Sequence, residues 1–173
     1  MAIGVLIALG IASTLLLGPI GVRLGPEVWS PHVPVIFVVL AAYQRSTFHG
    51  LLVAMTVGGL AALLSGGSRG VYLLALLPVL LIAASLRARG LSMGSLALAG
   101  VCVLGSLLAD AITWPFLLAF SGDAPWTGIL LRNAPPSALL TGLLAWPLIW
   151  LWERVEPMLR AQQARQRFLL PEG

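Results

Sequence analysis

Apolar residues in this chain come in long runs separated by short clusters of Gly, Pro, Arg and Ser, with no sustained alternation of apolar and polar positions. Runs of this kind predict helices, whereas half-buried strands would alternate. The first run, Ala2–Val22, is long enough to cross a bilayer. It has no charged leader and exceeds the apolar length of a signal peptide, so a retained helix is expected. A loop over Gly25–Pro34 carries Pro26, Pro31 and Pro34, with Trp29 and His32 suited to an interface. Val35–Tyr43 is the weakest span, predicted as a short helix or a re-entrant segment. Arg45 and His49 mark a surface turn before Leu51–Leu64, in which Gly58 and Gly59 are expected to admit a close helix neighbour.

After Leu64 the pattern reads Ser65-Gly66-Gly67-Ser68-Arg69-Gly70, then an apolar run over Val71–Leu86 and the stop Arg87-Ala88-Arg89. This predicts a helical hairpin, with the glycines supplying the reversal and the arginines marking opposite surfaces. Pro78 is expected to kink the second helix. Leu91–Phe120 holds a single charge, Asp110, and a loose small-residue face is expected over Gly90, Gly94, Gly100 and Gly105. Ser121–Ser137 is predicted as the longest polar loop. Ala138–Trp152 is the last span, with Trp146, Trp150 and Trp152 expected to form an interface belt.

Composition sharpens this picture. The chain has 173 residues, 59% hydrophobic and only 9% charged, against roughly 25% charged in soluble domains. An integral membrane protein follows, with an all-α bundle of about six transmembrane helices over residues 1–152 and a basic tail over 153–173. All ten basic residues are Arg. With six spans and the N-terminus in the cytoplasm, Arg45, Arg87, Arg89, Arg154, Arg160, Arg165 and Arg167 face the cytoplasm. Arg23, Arg69 and Arg132 face outward, so the bias agrees with the positive-inside rule. Both termini are then cytoplasmic. The tail is basic with apolar Met158, Leu159 and Phe168, is expected to be helical as far as Phe168, and suits either anionic lipid or a cytoplasmic partner. No basic patch interleaved with aromatics appears, so nucleic acid is not an expected partner.

Candidate chemistry is sparse. Cys102 is the lone cysteine, and His32 and His49 lack further ligands at helical spacing, so no metal or cofactor is expected. No nucleophile-and-base pattern predicts an enzyme. Asp110 lies inside an apolar run, where carboxylates are usually paired or functional. It reads either as a substrate, proton or partner-helix contact, or as an interfacial Asp capped by a neighbour such as Ser106.

The hairpin carries a resemblance. It is similar to the corresponding hairpin of the MreD family, small membrane subunits of the bacterial rod-shape complex, whose pattern is Gly-Leu-Leu-x-Asp-Leu-Leu-Ser-Gly-Gly-x-x-Gly followed by an apolar helix with a basic end. Leu63, Leu64, Ser65, Gly66, Gly67 and Gly70 match, as do Val71–Leu86 and Arg87-Ala88-Arg89, while Ala62 replaces the acidic residue. The resemblance implies a non-enzymatic subunit of the inner membrane, with a fold similar to the S-components of energy-coupling-factor transporters. It implies docking to an MreC-like scaffold, and through it links to an MreB-like filament and to peptidoglycan synthases. Asp110, Ser65, Gly66, Gly67, Gly70, Gly94, Arg87 and Arg89 are the candidate partner or helix-packing residues. The rival expectation is a small-molecule-binding subunit of an energy-coupling-factor uptake system.

Overall fold

A computed structural model describes residues 2–24, 30–64, 69–121 and 125–169; side chains at 18–24, 69–70, 117, 120–121, 125–127, 129–130 and from 159 onward fall outside the description. The described residues form six helices and no strand. They are α1 (Ala2–Leu24), α2 (Val33–Gln44), α3 (Thr47–Leu64), α4 (Arg69–Ala88), α5 (Ser95–Ser121) and α6 (Pro125–Leu169). Four of them, α3 to α6, contain stretches long and apolar enough to cross a membrane. The apolar parts of α1 and α2 are shorter, at Ile3–Leu17 and Val33–Gln44.

The bundle is organised around α2. Twelve residues give it about 18 Å of length, well short of a roughly 30 Å hydrocarbon core. Every residue from Val33 to Ala42 is buried. A helix apolar on all faces belongs inside a bundle, and α2 touches each of the other five helices. Its shortness therefore matters little to lipid, because protein surrounds it. Pro34 stands in its first turn, where the missing N–H has no intrahelical partner to lose. Val35, Ile36, Val38 and Val39 are completely enclosed and form the centre of the core with Leu76, Val79, Leu98 and Ile149.

Helix α3 starts at an N-cap, Ser46, whose hydroxyl accepts from the His49 backbone N–H at 3.2 Å. It is α-helical over Thr47–Val53, π-helical over Ala54–Gly58 and α-helical again over Gly59–Leu64. Helix α4 continues through Pro78. Beyond its end, Gly90 takes φ 65° and its N–H reaches the Arg87 carbonyl at 2.9 Å, a left-handed ending that glycine adopts without a Cβ penalty. The connection into α5 is pinned by Tyr43 of α2. Its hydroxyl accepts from the Met93 N–H at 2.7 Å and donates to the Leu91 carbonyl.

The most extensive pairing is between α5 and α6. A Cβ at Gly142 would collide with the side chain of Val103, so the absent side chain sets how closely these helices approach. The expected small-residue face is only partly realised. Gly105 packs against Val79 and Val35, but Gly94 and Gly100 have open space where a Cβ would stand. Gly94 is exposed and precedes the first turn of α5. Likewise Gly58 meets Leu76 while Gly59 meets nothing.

One expectation needs correction. The segment read as a polar loop over Ser121–Ser137 is helical from Pro125 onward, so Arg132 stands on a helix. Pro125 opens this helix, a position where proline is favoured. Beyond Glu153 the basic tail continues α6 as helix to Leu169.

Candidate functional site

The chemistry gathers at the two ends of α2, where a buried helix brings its polar flanks into an apolar interior. At the N-terminal end stands His32, the residue before α2. Its backbone N–H donates to Thr141 Oγ1 of α6 at 2.8 Å, and Thr141 donates to the Ser137 carbonyl at 2.8 Å. The His32 ring faces α5, with Nε2 3.4 Å from Asp110 Oδ1. Both side chains are largely enclosed, 18% and 15% exposed.

Asp110 is thus paired, and its partner is His32. The expected cap from Ser106 is not made. Ser106 is completely buried and its hydroxyl has no hydrogen-bond partner. Asp110 Oδ2 and His32 Nδ1 are also buried without partners. Ser106 is one turn from Asp110 on the same face of α5. Three buried polar atoms on these residues are thus without a hydrogen-bond partner in apolar surroundings, where unpaired groups are costly.

At the other end, Arg45 follows α2 and reaches α6, with Nη2 2.6 Å from Glu156 Oε1. His49 Nδ1 and Ser46 Oγ are 2.5 Å apart beside it. Further along α6, the Arg154 guanidinium lies 4.0 Å from the centre of the Trp150 ring, a cation–π contact. Trp146 and Trp150 are exposed, as an interface belt requires, but Trp152 is buried in the core and does not join them.

The other candidates are scattered. Ser65, Gly66 and Gly67 lie outside the described residues. Gly70 is in the first turn of α4, and Arg87 and Arg89 are exposed at its far end. Ala62, where the resembled pattern has an acid, is buried inside the bundle. Among the described residues, no three His, Cys, Asp or Glu converge as a metal site would require. Sequence reasoning placed His32 and Arg45 at segment edges, did not single out Glu156, and missed their pairings. The signal available for His32 and Arg45 was that each lies within two or three residues of an apolar run.

No family model, curated protein or solved structure matches this chain.

Proposed function

We propose that this protein is a non-enzymatic, multi-pass subunit of the bacterial inner membrane, of the MreD type, that docks a single-span MreC-like scaffold and couples it to peptidoglycan synthesis. The observation that carries this reading is the hairpin. Helix α3 ends at Leu64, α4 runs from Arg69 to Ala88, and exposed Arg87 and Arg89 follow, which is the layout the resembled motif implies around Ser65, Gly66, Gly67 and Gly70. All six helices then act as one membrane bundle, with α2 enclosed by the others and both termini in the cytoplasm. The outward leucines of α5 and α6, such as Leu96, Leu104, Leu139 and Leu143, face lipid or a partner helix. Helices in lipid associate through packing and interhelical hydrogen bonds.

Co-purification with the scaffold tests this. Asp110→Asn keeps hydrogen-bonding capacity and is expected to preserve the complex, while Asp110→Leu weakens it by about 0.6–2 kcal/mol. Failure to recover any scaffold with the wild-type protein removes the reading.

One observation favours the rival, a small-molecule-binding subunit of an energy-coupling-factor uptake system. It is the unpartnered polar atoms around Asp110. That reading expects Asp110→Asn to abolish a ligand-dependent thermal stabilisation without altering the fold.

A further inference from the structure

The outward faces of the bundle differ in height. At one end the helices are level. Tyr43 of α2 is tied to Leu91 and Met93, between α4 and α5, and Arg45 beside it meets Glu156 of α6. Exposed Arg87 and Glu153 lie within about one turn of these contacts along the chain. From this level the helices run on by different amounts. Helix α4, from Arg87 back to Arg69, covers about 27 Å, whereas α6, from Glu153 back to exposed Arg132, covers about 32 Å. Exposed apolar side chains extend from Phe48 to Leu64 on α3, about 24 Å, and from Leu96 to Leu118 on α5, about 33 Å. Charge to charge or apolar end to apolar end, the α3–α4 side is lower than the α5–α6 side by about 5–9 Å.

A hydrocarbon core of about 30 Å matches the higher side and overtops the lower one. Tilt only shortens a helix along the membrane normal, so it cannot raise α3 or α4. At a mean tilt of about 20°, α5 and α6 still cover about 30 Å, and levelling the two sides by tilt alone needs about 30–40°, the upper end of what spanning helices show. Arginine snorkelling adds reach where the charge is free, but Arg45, at the start of α3, is engaged by Glu156.

The chemistry of the lower face decides what covers it. Its exposed apolar side chains are large, among them Phe48, Met55, Leu74, Leu77, Leu81 and Ile82, whereas helices that meet in lipid favour small residues and shared hydrogen bonds. Its exposed hydroxyls, Thr56 and Ser85, donate to carbonyls of their own helices at 2.8 and 2.7 Å, which leaves them satisfied among hydrocarbon. We propose that the α3–α4 face is an interaction surface for short acyl chains, so that the bilayer is thinned on this side alone, from the end opposite Arg45. The inference rests on the membrane-bundle part of the reading above and requires no scaffold.

The test uses the full-length protein in vesicles of dioleoyl phosphatidylcholine with a minor share of brominated dimyristoleoyl phosphatidylcholine, a short-chain quencher. A bimane label is placed at Leu77→Cys on α4 or at Leu104→Cys on α5; both positions are exposed, and the native Cys102 is buried. Quenching at Leu77→Cys is expected to report a local share of short-chain lipid about twofold or more above that at Leu104→Cys. Moving the bromine to the dioleoyl lipid should reverse the order, which separates enrichment from label exposure. Equal shares at the two positions, or a larger share at Leu104→Cys, overturn the proposal. Quenching of Leu77→Cys by neither lipid shows that protein covers this face and overturns it as well. A second measurement follows the melting temperature through phosphatidylcholines from dimyristoleoyl to dierucoyl. Ser85→Leu with Arg87→Leu lengthens the apolar band of α4 and should move the most stabilising lipid to longer chains, while Ala97→Leu adds bulk within the band of α5 and should not. The same optimum for all three proteins also refutes the proposal. Wild-type protein that enters none of these vesicles removes the membrane reading itself, whereas a failed scaffold pull-down alters neither measurement.

Discussion

Gly50 offers a direct measure of how tightly α3 is held against α2 and α4. A Cβ placed there stands 2.8 Å from Ala42 Cβ and 3.1 Å from Ala42 Cα, and also collides with the tip of Leu80. Leu80 can turn aside, but the α2 backbone cannot without moving the centre of the core. Overpacking of this kind costs about 1–3 kcal/mol, while replacing a helical Gly by Ala returns about 1 kcal/mol of propensity. Gly50→Ala is therefore expected to be destabilising by about 0–2 kcal/mol. Gly100→Ala is the control, since nothing lies within 4 Å of a Cβ there and only the propensity gain, about 1 kcal/mol, remains. Subtracting the two variants removes the propensity contribution and leaves the steric one, about 1–3 kcal/mol. For a chain of this length that corresponds to a melting-temperature gap of about 2–12 °C, measurable by thermal unfolding in detergent. Indistinguishable melting temperatures for the two variants would show that α2 and α3 are not in the close contact described.

Three further outcomes are expected. Arg45→Ala leaves Glu156 without this cation and should lower stability by about 1–3 kcal/mol, less than for a fully buried pair because Arg45 is partly exposed; the double variant with Glu156→Gln should recover part of the loss, and strict additivity would deny the coupling. Tyr43→Phe removes both bonds to the connection before α5 and should cost about 1–3 kcal/mol while speeding hydrogen exchange at the Met93 amide; unchanged exchange there would contradict the pinning. A cysteine at Gly66 should label from outside the cell and one at Ala88 only after permeabilisation, and the reverse pattern would overturn the orientation argued from the arginines.

The helices were legible in the sequence because lipid-compatible runs leave little ambiguity. Their ends were less so. Pro125 opens α6, and Pro135 and Pro136 lie inside it; local rules read three prolines as a loop, because the first-turn role of Pro125 shows only once the helix beyond it is known. The weakest predicted span, Val35–Tyr43, became the centre of the bundle. Hydropathy could not separate a short helix wrapped in protein from one too short for lipid, since both are uniformly apolar. Asp110 stood out by its charge alone. Its partner did not, because His32 is 78 positions away and no periodicity links a residue before α2 to one within α5. The pairing of Arg45 with Glu156 was hidden for the same reason. The glycines of α5 show the converse: Gly100 and Gly105 look alike in sequence, yet only Gly105 meets neighbours.

The π-helical turn over Ala54–Gly58 has a bearing on residue numbering itself. Gly50 and Gly58 both meet the leucine stripe of α4, at Leu80 and at Leu73 and Leu76. Eight residues of regular α-helix turn through about 800° and would leave these glycines about 80° out of line. A π turn takes up one additional residue, so the pair behaves as if seven apart, about 20° from alignment. The stretch thus stores one surplus residue at a known place. Deleting Thr56 should be accommodated by relaxation to plain α-helix with both glycines still on α4, whereas deleting a residue from Thr47–Val53 would rotate the Ser46 cap away from its turn. Chains that share this bundle would then differ in length by one at this point while keeping every contact on either side of it.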